Sequence, residues 1–172
     1  NCTLSDYTYR MGMITYKQGN FKSSASYFKE SFDQCASCKE EFTTFFRQQE
    51  VLDNIALCYR NYGQLDSSVV YFNKALRYLD QYGKKYNRAG IIEVAKAVIY
   101  GNMADVLNLR GKRLQAAQML ERSIATNLKK GNDFHDAQLS EVKLGQIYMA
   151  LNEPDKVKIL LDTLRVQLNS MR

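Results

Sequence analysis

Met11-Gly12-Met13-Ile14-Thr15-Tyr16-Lys17-Gln18-Gly19-Asn20-Phe21, followed by Ser24, Phe28 and Ser31, carries a pattern that recurs along the chain. A small residue follows a large apolar one, and Thr15 comes three later. Gly19 sits four beyond that, then Ser24, then a large apolar residue, then a small one. The same order recurs three times. Ile55-Ala56 runs to Gly63, then Ser68, Phe72 and Ala75; Met103-Ala104 runs through Leu107 to Gly111, then Ala116, Leu120 and Ser123. Leu144-Gly145 runs through Tyr148 to Asn152, then Val157, Leu161 and Leu164. Each copy reads as two antiparallel helices joined by a short turn. Glycine, or Asn152, supplies the left-handed residue that ends the first helix. The small residues Gly12, Ala56, Ala104 and Gly145 let backbones approach, while Phe28, Phe72, Leu120 and Leu161 fill the space between helices.

Composition agrees. The chain has 172 residues with one proline, Pro154, and nine glycines, where average usage gives about nine and about twelve. A sandwich or barrel needs more turn residues than that. Apolar residues at 45% and charged residues at 24% suit a folded chain that buries a core without staples. One histidine, His135, and no tryptophan argue against a histidine-based metal site or catalytic triad. No apolar run reaches membrane-spanning length, and Asn1 to Asp6 lacks the basic and apolar regions of a signal peptide.

The small positions 12, 56, 104 and 145 give periods of 44, 48 and 41 residues. The spacing predicts helices near 5–18, 21–35, 38–62, 66–82, 89–110, 113–130, 134–151 and 155–170. Ser37 with Glu40 fits a capping box at the third, and Pro154 is tolerated in a first helical turn.

This pattern resembles the tetratricopeptide repeat (TPR), with Tyr16-Lys17-Gln18-Gly19-Asn20-Phe21 especially close to that family's inter-helix turn. Thr15 in place of an aromatic, and Ser24 and Ser68 in place of alanine, depart from it. The resemblance implies an all-α, right-handed α-solenoid of four helix pairs, one array over 1–172 with repeats at about 5–38, 49–82, 97–130 and 138–171. A standard repeat is ~34 residues, so the excess lengthens helices. Tyr100-Gly101-Asn102-Met103-Ala104-Asp105 and Asp136-Ala137-Gln138-Leu139 are similar to repeat regions of Bacteroidetes-type bacterial sensor histidine kinases and regulators. No kinase residues are present. The implied role is a non-enzymatic, protein- or peptide-binding sensory or scaffold region in signal transduction, with a periplasmic or other extracytoplasmic location favoured over a cytoplasmic one.

In the family, the first helix of each pair lines a concave groove. The matching positions here include Tyr9, Met13, Tyr16, Lys17, Asp53, Leu57, Arg60, Asn61, Gly101, Asp105, Asn108, Val142, Gln146 and Met149. A protein or peptide segment is the expected partner. Adaptors that clamp chaperone carboxylates use two lysines, an arginine and two asparagines, of which only Asn54 is matched. The apolar final helix, with Ile159, Leu160, Leu161 and Leu164, could instead pair with a second copy.

The net charge of +6 is uneven: residues 74–130 hold twelve Lys/Arg and four Asp/Glu. Lys84, Lys85, Arg88, Lys112 and Arg113 read first as a solvated face. The alternative is a regulator contacting an acidic surface or nucleic acid. Cys35 and Cys38 form the one closely spaced cysteine pair, expected as ordinary thiols with a disulfide as the minor reading. Cys38 is expected at a helix start, and Cys58 as core. The glycines scatter as turn residues, giving no phosphate loop. No metal or small-molecule cofactor is expected. Gly101 alone lies inside a helix without an evident packing role.

Overall fold

Four turns share one backbone path. Gly19, Gly63, Gly111 and Asn152 have φ of 79°, 85°, 74° and 57°. In each, the following N–H reaches back five residues: Asn20 to the Thr15 carbonyl, Gln64 to Tyr59, Lys112 to Leu107 and Glu153 to Tyr148. This closure satisfies carbonyls that a helix end leaves open. The four left-handed positions expected from the spacing are therefore, among the described residues, the turns inside the four helix pairs.

The computed structural model describes residues 2–39, 41–129 and 134–170. Among these, eight α-helices and a short 3-10 turn form, and no strand. The helices are α1 Cys2–Lys17, α2 Phe21–Cys35, α3 Phe42–Asn61, α4 Leu65–Tyr82, α5 Ala89–Leu109, α6 Arg113–Asn127, α7 Phe134–Ala150 and α8 Pro154–Ser170. Contacts group them into two compact units, Asn1–Ile92 and Glu93–Arg172.

In the first unit α1 packs on α2, α2 on α3, and α3 on α4. Phe28 and Phe72 are wholly buried at equivalent positions. A Cβ on Gly12 would stand 2.7 Å from two Phe28 ring carbons, so the glycine is required by that ring. The serines that replace alanine have a structural reason. Ser24 Oγ donates to the Gly12 carbonyl at 2.8 Å, and Ser68 Oγ to the Ala56 carbonyl at 2.7 Å. A buried hydroxyl is thereby satisfied against the facing helix. Thr15, in place of an aromatic, bonds the Met11 and Gly12 carbonyls at 2.8 and 3.0 Å.

The second unit packs α6 on α7 and α7 on α8, around Ile99, Val106, Leu120, Ala137, Leu144 and Ile147. Its last helix departs from expectation. Leu161 is 57% exposed, and Leu160 meets Gly145, 3.4 Å from where a Cβ would stand. Adjacent leucines let α8 turn by one position and keep an apolar contact.

Three further expectations change. Helix α3 starts at Phe42, not 38, and Glu41 caps it without a side-chain bond. The capping box required Glu40, which lies outside the described residues, as do Lys130, Gly131 and Asp133. Cys38 is consequently not at a helix start; it is disulfide-bonded to Cys2, with Cα atoms 5.3 Å apart. Cys35 and Cys58 are free and buried. Gly101 has neighbours after all: a Cβ there would lie 3.5 Å from Ser123 Oγ and 3.9 Å from Ser140 Oγ. It faces α6 and α7.

Candidate functional site

Helices α1 and α3 are the first helices of the two pairs in the first unit, and their neighbouring faces carry a linked row of side chains. Asn54 Nδ2 donates to Tyr9 Oη at 3.4 Å and approaches Met13 Sδ at 3.9 Å. Asn61 Nδ2 donates to Tyr16 Oη at 2.7 Å. At the other end, the Arg47 guanidinium lies 3.9 Å from the Tyr9 ring centroid and donates to Glu50 Oε2 at 2.9 Å. Arg47 also stands 3.7 Å from Asp6, which holds Arg10 at 3.0 Å. The row exists because α1 and α3 present alternate turns to each other, placing residues 45 apart in contact.

Electrostatics reflect partial burial. Burial raises the Glu50 carboxyl above its ordinary range, with Arg47 opposing. Burial, then the Glu50 charge, pushes the Tyr9 phenol up. The face can offer amide donors and acceptors beside aromatic rings, which suits an extended polypeptide. It carries no nucleophile–base pair.

The groove residues expected from sequence fall into several environments. Tyr9, Met13, Tyr16, Leu57, Arg60 and Asn61 are half-buried and Lys17 is exposed. Asp53 is only 8% exposed, inside the helix packing. In the second unit Asp105 pairs with Lys143 at 3.0 Å. Gly101 is half-buried, while Asn108, Val142, Gln146 and Met149 are exposed, Met149 at 69%. Glu50 shares the repeat's groove register with Asp53, Leu57, Arg60 and Asn61, and Asn54 stands beside them, whereas Arg47 is not a groove position of the repeat pattern. Arg47 is one turn before Glu50, which is the only sequence signal for it.

Lys84, Lys85 and Arg88 are exposed in the first unit, and Lys112 and Arg113 in the second. Lys85 lies over the Tyr86 ring at 5.2 Å and Arg88 over Phe42 at 5.3 Å. Among the described residues, no group of three or more His, Cys, Asp and Glu could hold a metal ion, and no helix is long and apolar enough to cross a membrane.

A second concavity lies on the other side of the first unit, between the second helices α2 and α4. It measures about 550 Å³ and includes Lys29, Phe32, Leu52, Tyr71, Lys74 and Arg77 in its lining. No sequence pattern marks it, because Lys29 lies on α2 and Lys74 and Arg77 on α4, 45 residues or more along the chain.

The fold is similar to that of known repeat proteins. Residues 49–78 match the family model of the tetratricopeptide repeat. TPR-like repeats of a kinesin-light-chain-type protein from Podosopora anserina superpose with a TM-score of 0.77 at 14% identity, covering 100% of this chain and 79% of that one. A variant of the same repeats gives 0.75 at 15% identity, covering 97% and 76%. The type III secretion translocator chaperone SycD of Yersinia enterocolitica gives 0.62 at 12% identity, covering 86% and 85%. No curated protein sequence matches the chain.

Proposed function

From a chain whose residues 49–78 match the tetratricopeptide repeat and whose helices have the fold of TPR-like arrays, we propose a peptide-binding module that uses the α1–α3 face. TPR repeats generally mediate protein–protein interaction. The observation that carries the finer reading is the Asn54 and Asn61 pair, each oriented by a tyrosine hydroxyl of the facing helix. An oriented carboxamide offers both donor and acceptor to a peptide backbone, and its ordering is already in place before binding. Tyr9, Met13 and Tyr16 supply apolar contact beside it, while Lys17, Arg47 and Arg60 give the rim its positive charges.

The test uses random linear peptides displayed on phage and selected on the full chain. Selected peptides should lose at least about tenfold in affinity against Asn54→Ala/Asn61→Ala, the scale of one or two lost hydrogen bonds. Circular dichroism should show the variant folded. Peptides that bind both proteins alike, or a selection that yields none, would overturn the reading.

The long periods between repeats, and the stretch Tyr100 to Asp105, support a place as the sensory or scaffold region of a larger signalling protein. The full-length gene product decides this: an output domain in the same polypeptide supports it, and an array without one sinks it.

A further inference from the structure

The cleft between α2 and α4 is independent of the α1–α3 face, and its charge is one-sided. Its volume, about 550 Å³, falls in the small-molecule range of ~300–1,000 Å³. Leu52 and Ile55 of α3 form an apolar floor. Tyr71 stacks on Tyr59 with centroids 5.3 Å apart and 20° between planes, making a rigid aromatic panel at one wall.

Two ammonium groups share that panel. Lys74 Nζ lies 4.6 Å and Lys29 Nζ 5.7 Å from the Tyr71 centroid. Arg77 lines the same cleft, and among the described residues Asp33 is its only acid. Among the described residues none of the three cations is in an ion pair. A ring face holds a cation without neutralising it, so Lys29 and Lys74 keep their charge beside the hollow that Arg77 also lines. Lys29 also donates to Tyr59 Oη at 2.7 Å, which fixes the ammonium and leaves two N–H groups for a ligand. Three cations beside an apolar hollow make a local positive potential that favours an anion there.

We propose that this cleft binds a small organic anion with a flat apolar body, an aromatic carboxylate being the simplest member. The anionic head would sit among Lys29, Lys74 and Arg77, with the ring against Phe32 and the Leu52–Ile55 floor.

Naphthoate and its neutral counterpart naphthamide, titrated into the full ¹⁵N-labelled chain, test this directly. Naphthoate should shift amide signals of α2 and α4 saturably, and naphthamide should bind at least about tenfold more weakly, as loss of a charge-assisted contact requires. Lys74 is exposed, so Lys74→Gln should fold normally. It should weaken naphthoate about tenfold and leave naphthamide unchanged. Equal affinity for the two probes, no saturation at millimolar concentration, shifts confined to other helices, or indifference to Lys74→Gln would each overturn the proposal. So would an acidic peptide that occupies the cleft when naphthoate does not, because the surface would then be a macromolecular contact. Asn54→Ala/Asn61→Ala should leave naphthoate binding intact, which separates this result from that of the α1–α3 face.

Discussion

Gly12 and Gly101 are both helical glycines, and their surroundings give them opposite tolerance. At Gly12 a methyl would meet the Phe28 ring at 2.7 Å, and that ring is fully buried with no room to retreat. Gly12→Ala should therefore cost about 1–3 kcal/mol, as overpacking does. At Gly101 the nearest atoms are two serine hydroxyls at ordinary contact distance, so Gly101→Ala should stabilise by roughly 0.5–1 kcal/mol through reduced backbone entropy in the unfolded chain. Urea midpoints at constant m-value report both. Cys58 makes a second residue-scale case. Burial pushes its thiol to about 11, against the opposing hydrogen bond to Ser24. Iodoacetamide at mildly alkaline pH should leave Cys58 unmodified in the folded protein and alkylate it fully in urea. Labelling at equal rates in both states would contradict its place in the core. The contact at Gly12 and the burial of Cys58 were legible in the sequence, because the repeat frame puts both on an inward face. The setting of Gly101 was not, since two serines on other helices define it.

At the scale of elements, the helix pair is held by contacts that repeat with its period. Ser24 and Ser68 make the same bond to the carbonyl twelve residues earlier. Replacing either by alanine should cost about 0.5–1.5 kcal/mol, the net worth of a buried hydrogen bond, measured by thermal or urea unfolding. The disulfide acts differently. Cys2 in α1 and Cys38 beyond α2 are 36 residues apart, and closing a loop of that length removes about 4 kcal/mol of unfolded-chain entropy at most. Cys2→Ser should lower the stability of the first unit by up to that amount. Adding reductant to the unmutated protein should reproduce the loss. If Cys2→Ser and reduction both leave the unfolding midpoint unchanged, the crosslink has no stabilising role. The sequence frame located the ends of α1 and α2 to within a few residues, yet it read Cys38 beside Cys35. Pairing followed instead from the antiparallel return of α2, which brings the chain after it to the start of α1.

Across the whole molecule, tyrosine distribution controls behaviour at high pH. Burial raises the phenols of Tyr9, Tyr62, Tyr78, Tyr86 and Tyr148, with Tyr78 pushed up to about 12. The hydrogen bond from Lys29 lowers Tyr59. A phenol raised in the fold contributes stability that is complete below its ordinary value near 10 and is lost as pH rises through the folded value. Tyr59 has the opposite sign, but five groups outweigh one. Stability should thus fall between about pH 10 and 12, and absorbance at the phenolate band should show the shifted tyrosines ionising only as helicity is lost. Full ionisation with helicity intact would contradict that burial.

The helix-pair arithmetic and the place of the turns within the four pairs follow from the order of residues alone. Both are local properties: a left-handed residue ends a helix wherever it stands, and apolar spacing fixes which face turns inward. The three-dimensional fold decided the partner of Cys38, the choice of Leu160 over Leu161 against Gly145, the Asn54–Tyr9 and Asn61–Tyr16 bonds, and the gathering of Lys29, Lys74 and Arg77 around one hollow. Each of these depends on the rotation and separation of two packed helices, a quantity set by side-chain interlocking across the interface and not by the periodicity of either helix alone.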